Sequence, residues 1–295
     1  MKIIRAEKMG FCAGVRRAVM TANNALSERG NGKVYTFGPL IHNPVALKKF
    51  EENGLEILSE ENISILKKGD TVVIRAHGIS PEIQDLLEKT GAKILNGTCP
   101  IVQKNQKKCC EYAKNGYVIF FTGDKNHGEV VGIEGAAKKG AFQKKLPLNF
   151  ILIKSVEEAL EKLGELEKNF KIEKSVLISQ TTFSVKVFEE IAAALKNHLS
   201  DIEIVKSICP ATYDRQDSLD ELCSKVEGVL VIGGKSSANT NRLYDKALKL
   251  CNMAALIEDA SEIPEVFFKL KVVGLTAGAS TPDDVIDEVE KALQH

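Results

Sequence analysis

Three cysteines of this 295-residue chain stand in matched settings: Cys12 in GFCAGVRRAV, Cys99 in GTCPIVQKNQ and Cys209 in SICPATYDRQ. A thiol binds metal as the thiolate, and a helix N-terminus favours that form through its free N–H groups and its dipole. Helical periodicity follows these cysteines, with Val15, Ala18, Val19, Ala22 and Leu26 after Cys12, and Leu219, Leu222, Cys223 and Val226 after Cys209. Pro100 and Pro210 come directly after their cysteines, where proline suits the first helical position. The sequence has no C-x-x-C pair, which disfavours zinc ribbons and thioredoxin-type sites. Three thiolates from distant segments fit a cubane iron–sulfur cluster that leaves one iron open to water or substrate. They also fit a three-cysteine zinc site with an open fourth position. Cys109, Cys110, Cys223 and Cys251 fall inside helical segments and read as small buried side chains.

The elements that must position these thiols recur along the chain. Before each cysteine lies a short apolar run that reads as a strand: Lys2-Ile3-Ile4, Lys93-Ile94-Leu95 and Glu203-Ile204-Val205. After each comes a second strand ending in a glycine-led polar loop: Phe37 into GPLIHN, Phe121 into TGDKNHGE, Ile232 into GGKSSANT. The interval from Cys99 to Gly123 equals that from Cys209 to Gly233, and the interval from Cys12 to Gly38 is slightly longer. A third strand in each unit ends in RAHGIS, SQTTFS or TAGAS. Ordinary α/β rhythm also places Gly-rich loops at strand ends, but here each unit offers one cysteine and two loops. The pattern predicts an α/β fold of three pseudo-repeated small domains with mostly parallel sheets. A period of roughly 100 residues is too long for a solenoid. The expected partition is 1–97 carrying Cys12, 98–207 carrying Cys99, 208–281 carrying Cys209, and 282–295 as a C-terminal helix packing back on the body. Lys138–Lys145 reads as a surface turn.

The polar loops carry three of the five histidines: His42 in LIHNP, His77 in RAHGIS and His127 in KNHGEV. His198 and His295 fall at a helix end and at the C-terminus and receive no role. The remaining loops supply Thr181, Thr182, Ser236, Ser237, Asn239, Thr240 and Ser280. These are neutral or switchable donors able to bind phosphate without clustered lysines; singly, a Ser or Thr there serves equally well as a helix cap. Neither G-x-x-x-x-G-K-[ST] nor G-x-G-x-x-G is present, so a phosphate on a small substrate is expected rather than a nucleotide. Glu129, two residues after His127, is a proton donor if burial raises its pKa. Its other reading is an acidic residue in the first turn of a helix over 130–139.

Composition sets broad bounds. Forty basic and forty acidic residues cancel, against electrostatically driven nucleic-acid binding, and 44% hydrophobic residues suffice for a core. No apolar stretch reaches the ~18 residues of a membrane span, and MKIIRAEKMGF lacks the apolar core of a secretory signal. Seven cysteines, an odd number, fit a reducing, cytoplasmic setting with metal or redox chemistry better than a disulfide framework.

Taken together and in order, GFCAGVRRA, GPLIHNP, RAHG, TCP, HGEVVG, SQTTFS, the Cys209 motif, KSSANTNRL and TAGASTPD resemble the 4-hydroxy-3-methylbut-2-enyl diphosphate reductase family over nearly the whole chain. The resemblance implies a trefoil of the three α/β domains around one [4Fe–4S] cluster held by Cys12, Cys99 and Cys209. It implies reductive dehydroxylation of the allylic diphosphate to isopentenyl and dimethylallyl diphosphate, the substrate hydroxyl binding the open iron. His42, His77, His127, Ser237, Asn239 and Ser280 would hold the diphosphate. Glu129 would be the proton source, Thr181 would contact the hydroxyl and relay the proton, and His127 would stand with them. Ferredoxin or flavodoxin would deliver electrons, with no nucleic acid or membrane involved. One departure is Ala238, where the family often has a second serine; it offers only its backbone N–H, so the pocket is expected to have one side-chain donor fewer or a replacement from Ser236. A redox-neutral hydro-lyase would need no reductant, and an iron–sulfur sensor would leave Glu129 and the loop histidines without a role.

Overall fold

The computed structural model describes residues 1–294; His295, at the end of the expected segment 282–295, lies outside the described residues. Strand β1 (Lys2–Arg5) opens the chain. One sheet has the order β3-β2-β4-β5, from β2 (Val34–Phe37), β3 (Leu55–Leu58), β4 (Thr71–Ile74) and β5 (Lys93–Asn96). A second has the order β7-β6-β8-β9, from β6 (Val118–Thr122), β7 (Phe150–Ile153), β8 (Ser175–Ser179) and β9 (Glu203–Ile204). The third joins β10 (Gly228–Ile232), β11 (Ala254–Ile257) and β12 (Val272–Ala277) to β1, in the order β11-β10-β12-β1. Every pairing is parallel. The fold is therefore α/β, with three four-stranded parallel sheets of one repeated strand order.

That order corrects one part of the sequence reading. β1, expected within the first domain, is the edge strand of the third sheet, with Ile3 opposite Val273 and Ile4 opposite Gly274. It occupies the position that β5 and β9 hold in their own sheets. Each cysteine thus follows the fourth strand of a sheet, and the chain's first strand completes the sheet built from its last. The cause is a vacant ladder edge on β12, satisfied only by a strand distant in sequence.

The central strands β6 (VIFFT), β8 (SVLIS) and β10 (GVLVI) are buried along their whole length, as required of parallel strands covered on both faces. The chain divides into two compact units, one of Met1–Ala76, Ala92–Gly97 and Pro210–His295, the other of His77–Gly91 and Thr98–Cys209. In the first unit α1 (Ala13–Ser27) lays Val15, Ala18, Ala22 and Ala25 on Val34, Leu55 and Val73. Also there, α10 (Asp283–Gln294) buries Val285, Ile286, Val289 and Leu293 against Leu230, Val273 and Leu275. The unit also contains α2 (Pro44–Glu52), α8 (Pro210–Cys223) and α9 (Ala238–Leu250).

The second unit contains α3 (Pro81–Lys89), α4 (Pro100–Lys114), α5 (Gly128–Gln143), α6 (Val156–Glu167) and α7 (Val185–His198). Helices α4 and α5 approach closely: a Cβ on Gly140 would lie 2.2 Å from the carbonyl oxygen of Cys110. Residues 138–143, expected as a surface turn, are the last turns of α5, and only Lys144 and Lys145 lie in a turn. Ala141 on that stretch is buried against the sheet, and this apolar anchor extends the helix through its lysines. Among the described residues no helix is long and apolar enough to cross a membrane.

Candidate functional site

Each expected thiol stands at a helix head. Cys12 caps α1, its Sγ accepting from the Val15 N–H at 3.4 Å; Cys99 occupies the cap position of α4; Cys209 directly precedes α8. All three are partly exposed. By contrast Cys109 is fully buried within α4, and desolvation drives its pKa well above the usual thiol value. Cys223 is buried too, its pKa pushed up to about 12 by desolvation and then by its hydrogen-bonded neighbour Cys251. Burial therefore keeps these two thiols protonated.

In the first unit, the β1–β12 ladder continues past both strands. Gly10 N–H donates to Ala277 O at 3.3 Å and Cys12 N–H to Ala279 O at 3.2 Å. Arg215 on α8, itself buried, donates to the carbonyl of Gly10. The edge placement of β1 thus sets Cys12 beside the loop that carries Ser280. Ser280 Oγ donates to the carbonyl of His42 at 3.2 Å. Gly234 lies against the same carbonyl, since a Cβ there would fall 2.2 Å from it. Ser237 caps α9, its Oγ accepting from Thr240 N–H at 3.4 Å, which leaves its own hydroxyl proton to donate elsewhere. Ala238 begins α9, and Asn239 is buried in its first turn. Ser236 is exposed, so it does not take the place of a second buried serine.

His42 is largely buried. Desolvation, and then the charge of Arg75, push its imidazole from the ordinary 6.5 down to about 4. It is neutral at pH 7 and donates one N–H. Between pH 4 and 6.5 the unfolded chain carries a proton at His42 that the folded chain does not, so stability from this group is present above pH 6.5 and lost as pH falls towards 4. We expect His42→Asn to flatten the decline of the urea midpoint over that window; an unchanged slope would count against a buried neutral His42.

The second unit holds the other half of the expected residues. Glu129 lies in the first turn of α5 and is 1% exposed. Its Oε1 accepts from the Thr181 N–H at 2.8 Å and its Oε2 from the Thr181 hydroxyl at 2.7 Å. Glu129 is thus an acidic residue in the first turn of its helix and also a buried carboxyl bonded twice to Thr181. A hydroxyl can reverse its donor role, so the Oε2 contact also suits a protonated carboxyl donating to Thr181 Oγ1. Thr181 O accepts from the Cys209 N–H at 2.9 Å, so Glu129, Thr181 and Cys209 form one bonded series. His127 caps α5, its Nδ1 accepting from Glu129 N–H at 3.2 Å. That bond assigns the neutral ring's proton to Nε2. The rings of His77 and His127 meet edge-on, centroids 5.0 Å apart. Gln106 on α4 donates to Ile79 O at 3.1 Å and ties the His77 loop to the helix headed by Cys99.

Gln180 was not anticipated from the sequence. It is fully buried, its Oε1 accepting from Asp124 N–H at 2.9 Å and its Nε2 donating to Thr182 Oγ1 at 2.8 Å. It fastens the Thr181 loop to the turn leading into His127; its one sequence signal is adjacency to Thr181. His198 lies exposed in the last turn of α7.

The LytB protein family model matches residues 3–294. A Treponema denticola protein named 4-hydroxy-3-methylbut-2-enyl diphosphate reductase is 44% identical, covering 99% of each chain. The chain belongs to this reductase family. An Aquifex aeolicus reductase of the same name is 38% identical over 99% of this chain and 96% of its own. The solved structure of a reductase described as the terminal enzyme of the non-mevalonate pathway shares 37% identity, with a TM-score of 0.71, covering 100% of this chain and 99% of that one. The Plasmodium falciparum reductase structure superposes with a TM-score of 0.86 at 29% identity, over 99% and 87% of the two chains.

Proposed function

We propose that the chain catalyses reductive dehydroxylation of (E)-4-hydroxy-3-methylbut-2-enyl diphosphate to isopentenyl and dimethylallyl diphosphate. Two electrons and two protons enter, the C–O bond of the hydroxyl carbon breaks, oxygen leaves as water, and one proton ends on carbon. Family membership supports the reaction class. The buried Glu129–Thr181 pair is the observation that carries the mechanism.

Cys12, Cys99 and Cys209 fit the all-thiolate donor set of a [4Fe–4S] cluster: each is partly exposed and each stands at or beside a helix N-terminus. We assign one cluster per chain to these three residues. When bound, it supplies single electrons and an open iron acting as Lewis acid for the hydroxyl.

The chain's own residues do the rest. Glu129 holds a proton at Oε2 and passes it to Thr181 Oγ1, which hands it to the substrate; the Thr181 N–H on Oε1 fixes the carboxyl's orientation. His127, oriented by the Glu129 N–H, presents Nε2–H to the diphosphate. His42, His77, Ser237, Asn239, Ser280 and the Ala238 N–H complete the anion site, with the helix heads of α5 and α9 adding N–H donors. A cytoplasmic setting and a ferredoxin or flavodoxin donor belong to the same proposal.

Anaerobically purified protein is expected to contain about four iron and four sulfide per chain and to form both products only when a reductant is supplied. One zinc without sulfide, or conversion without reductant, would overturn the reading.

A further inference from the structure

Around the His42 loop, the first unit contains three side-chain nitrogens shut off from solvent with no acceptor among the described residues: Asn43 Nδ2, Arg75 Nε and Asn239 Nδ2. Asn43 and Asn239 are 1% and 6% exposed. A buried N–H without an acceptor is costly, and a buried cation without a counter-charge more so. Such groups persist in a fold where a ligand completes them.

Their settings are connected. Asn43 follows His42 and spends its Oδ1 on the Ala46 N–H at 2.9 Å, capping α2 and leaving Nδ2 over. Gly234, at the head of the loop leading to Asn239, packs so that a Cβ would lie 2.2 Å from His42 O and 3.3 Å from Asn43 Cα. Arg75 follows β4 directly. Gly38, which opens the loop to His42, adopts φ +68°, and a Cβ on it would lie 2.7 Å from Arg75 Nη1. The guanidinium therefore sits against the His42 loop, and its field reaches the imidazole. Burial lowers the Arg75 pKa, and among the described residues no carboxylate opposes that shift. The other cation on these loops, Lys235, is paired with Glu262 at 2.6 Å.

A diphosphate carries at least two negative charges, and the donors assigned to it on this unit, His42, Ser237, Asn239 and Ser280, are all neutral in the free protein. We infer that Arg75 supplies the fixed positive charge of the diphosphate subsite, with Asn43 Nδ2 as a further donor. The identity of the anion rests on the reductase reading; the presence of an anion subsite does not.

The test uses the full-length holoenzyme and inorganic diphosphate as probe, with calorimetric binding measured apart from turnover. In Arg75→Met the dissociation constant of inorganic diphosphate and the KM of the allylic substrate are expected to rise about ten- to hundredfold. Turnover at saturation should stay within about threefold and iron per chain should not change, the pattern of lost uniform binding. Arg75→Lys should recover most of the affinity, since a point charge returns. Should Arg75→Met fail to fold, Asn43→Asp serves instead: it keeps the Oδ1 cap, replaces the donor with a carboxylate, and should weaken diphosphate at least about tenfold. Unchanged diphosphate affinity in folded, iron-replete Arg75→Met overturns the inference, as does an equal fall of kcat and iron content in the Met and Lys variants. Arg75-dependent binding in a wild-type protein that fails to turn over the substrate would count against the reductase reading alone.

Discussion

Replacing Cys99 with serine is expected to strip iron and sulfide from the protein while leaving its fold in place. Cys99 is a cap residue of α4 and partly exposed, and serine is itself a favoured cap. The helix is held independently, through Val102, Asn105, Cys109 and Ala113 on its buried face and through its close approach to α5. The substitution removes a thiol and little packing. Reductase turnover should fall below detection, iron per chain should drop to a small fraction of wild type, and the urea midpoint of the two apo proteins should agree. Cys109→Ser, within the same helix, is the control: it buries a hydroxyl and should cost stability of about 1–3 kcal/mol while leaving iron per chain unchanged. Wild-type iron in Cys99→Ser would remove Cys99 from the ligand set.

Glu129→Gln separates proton transfer from architecture. The glutamine amide preserves shape: its oxygen can accept from the Thr181 N–H and its NH2 can donate to Thr181 Oγ1, where the carboxyl now has bonds of 2.8 and 2.7 Å. It cannot release a proton at this position. Turnover should fall about 10²- to 10⁴-fold, with iron content unchanged and inorganic diphosphate bound as in wild type. Near-normal turnover with a full complement of iron would take the proton-donor role away from Glu129. Loss of iron together with turnover would make the Glu129–Thr181–Cys209 series a structural support for the thiol.

Much of this arrangement is legible in residue order. Pro100 and Pro210, directly after Cys99 and Cys209, mark helix heads, as does the apolar periodicity after Cys12 and Cys209, because the chemistry of a helix start is local. The apolar runs before each cysteine are strands β1, β5 and β9, and the polar loops stand where parallel strands end. Arg75 and Gln180 escaped notice because nothing in their local sequence distinguishes a buried polar side chain from a solvated one. Only their surroundings do.

By itself the sequence determined the α/β rhythm, the three thiols at helix heads, the polar loops and, by resemblance, the reductase family. Tertiary structure alone decided that β1 completes the sheet of β12, that Glu129 meets Thr181 fifty-two positions away, and that Arg75 lies buried against the His42 loop with no carboxylate beside it among the described residues. The physical reason is range. Caps, turns and periodicity follow from neighbours a few residues apart. An apolar edge strand carries no address for its partner, and a buried charge is defined by the groups that close around it.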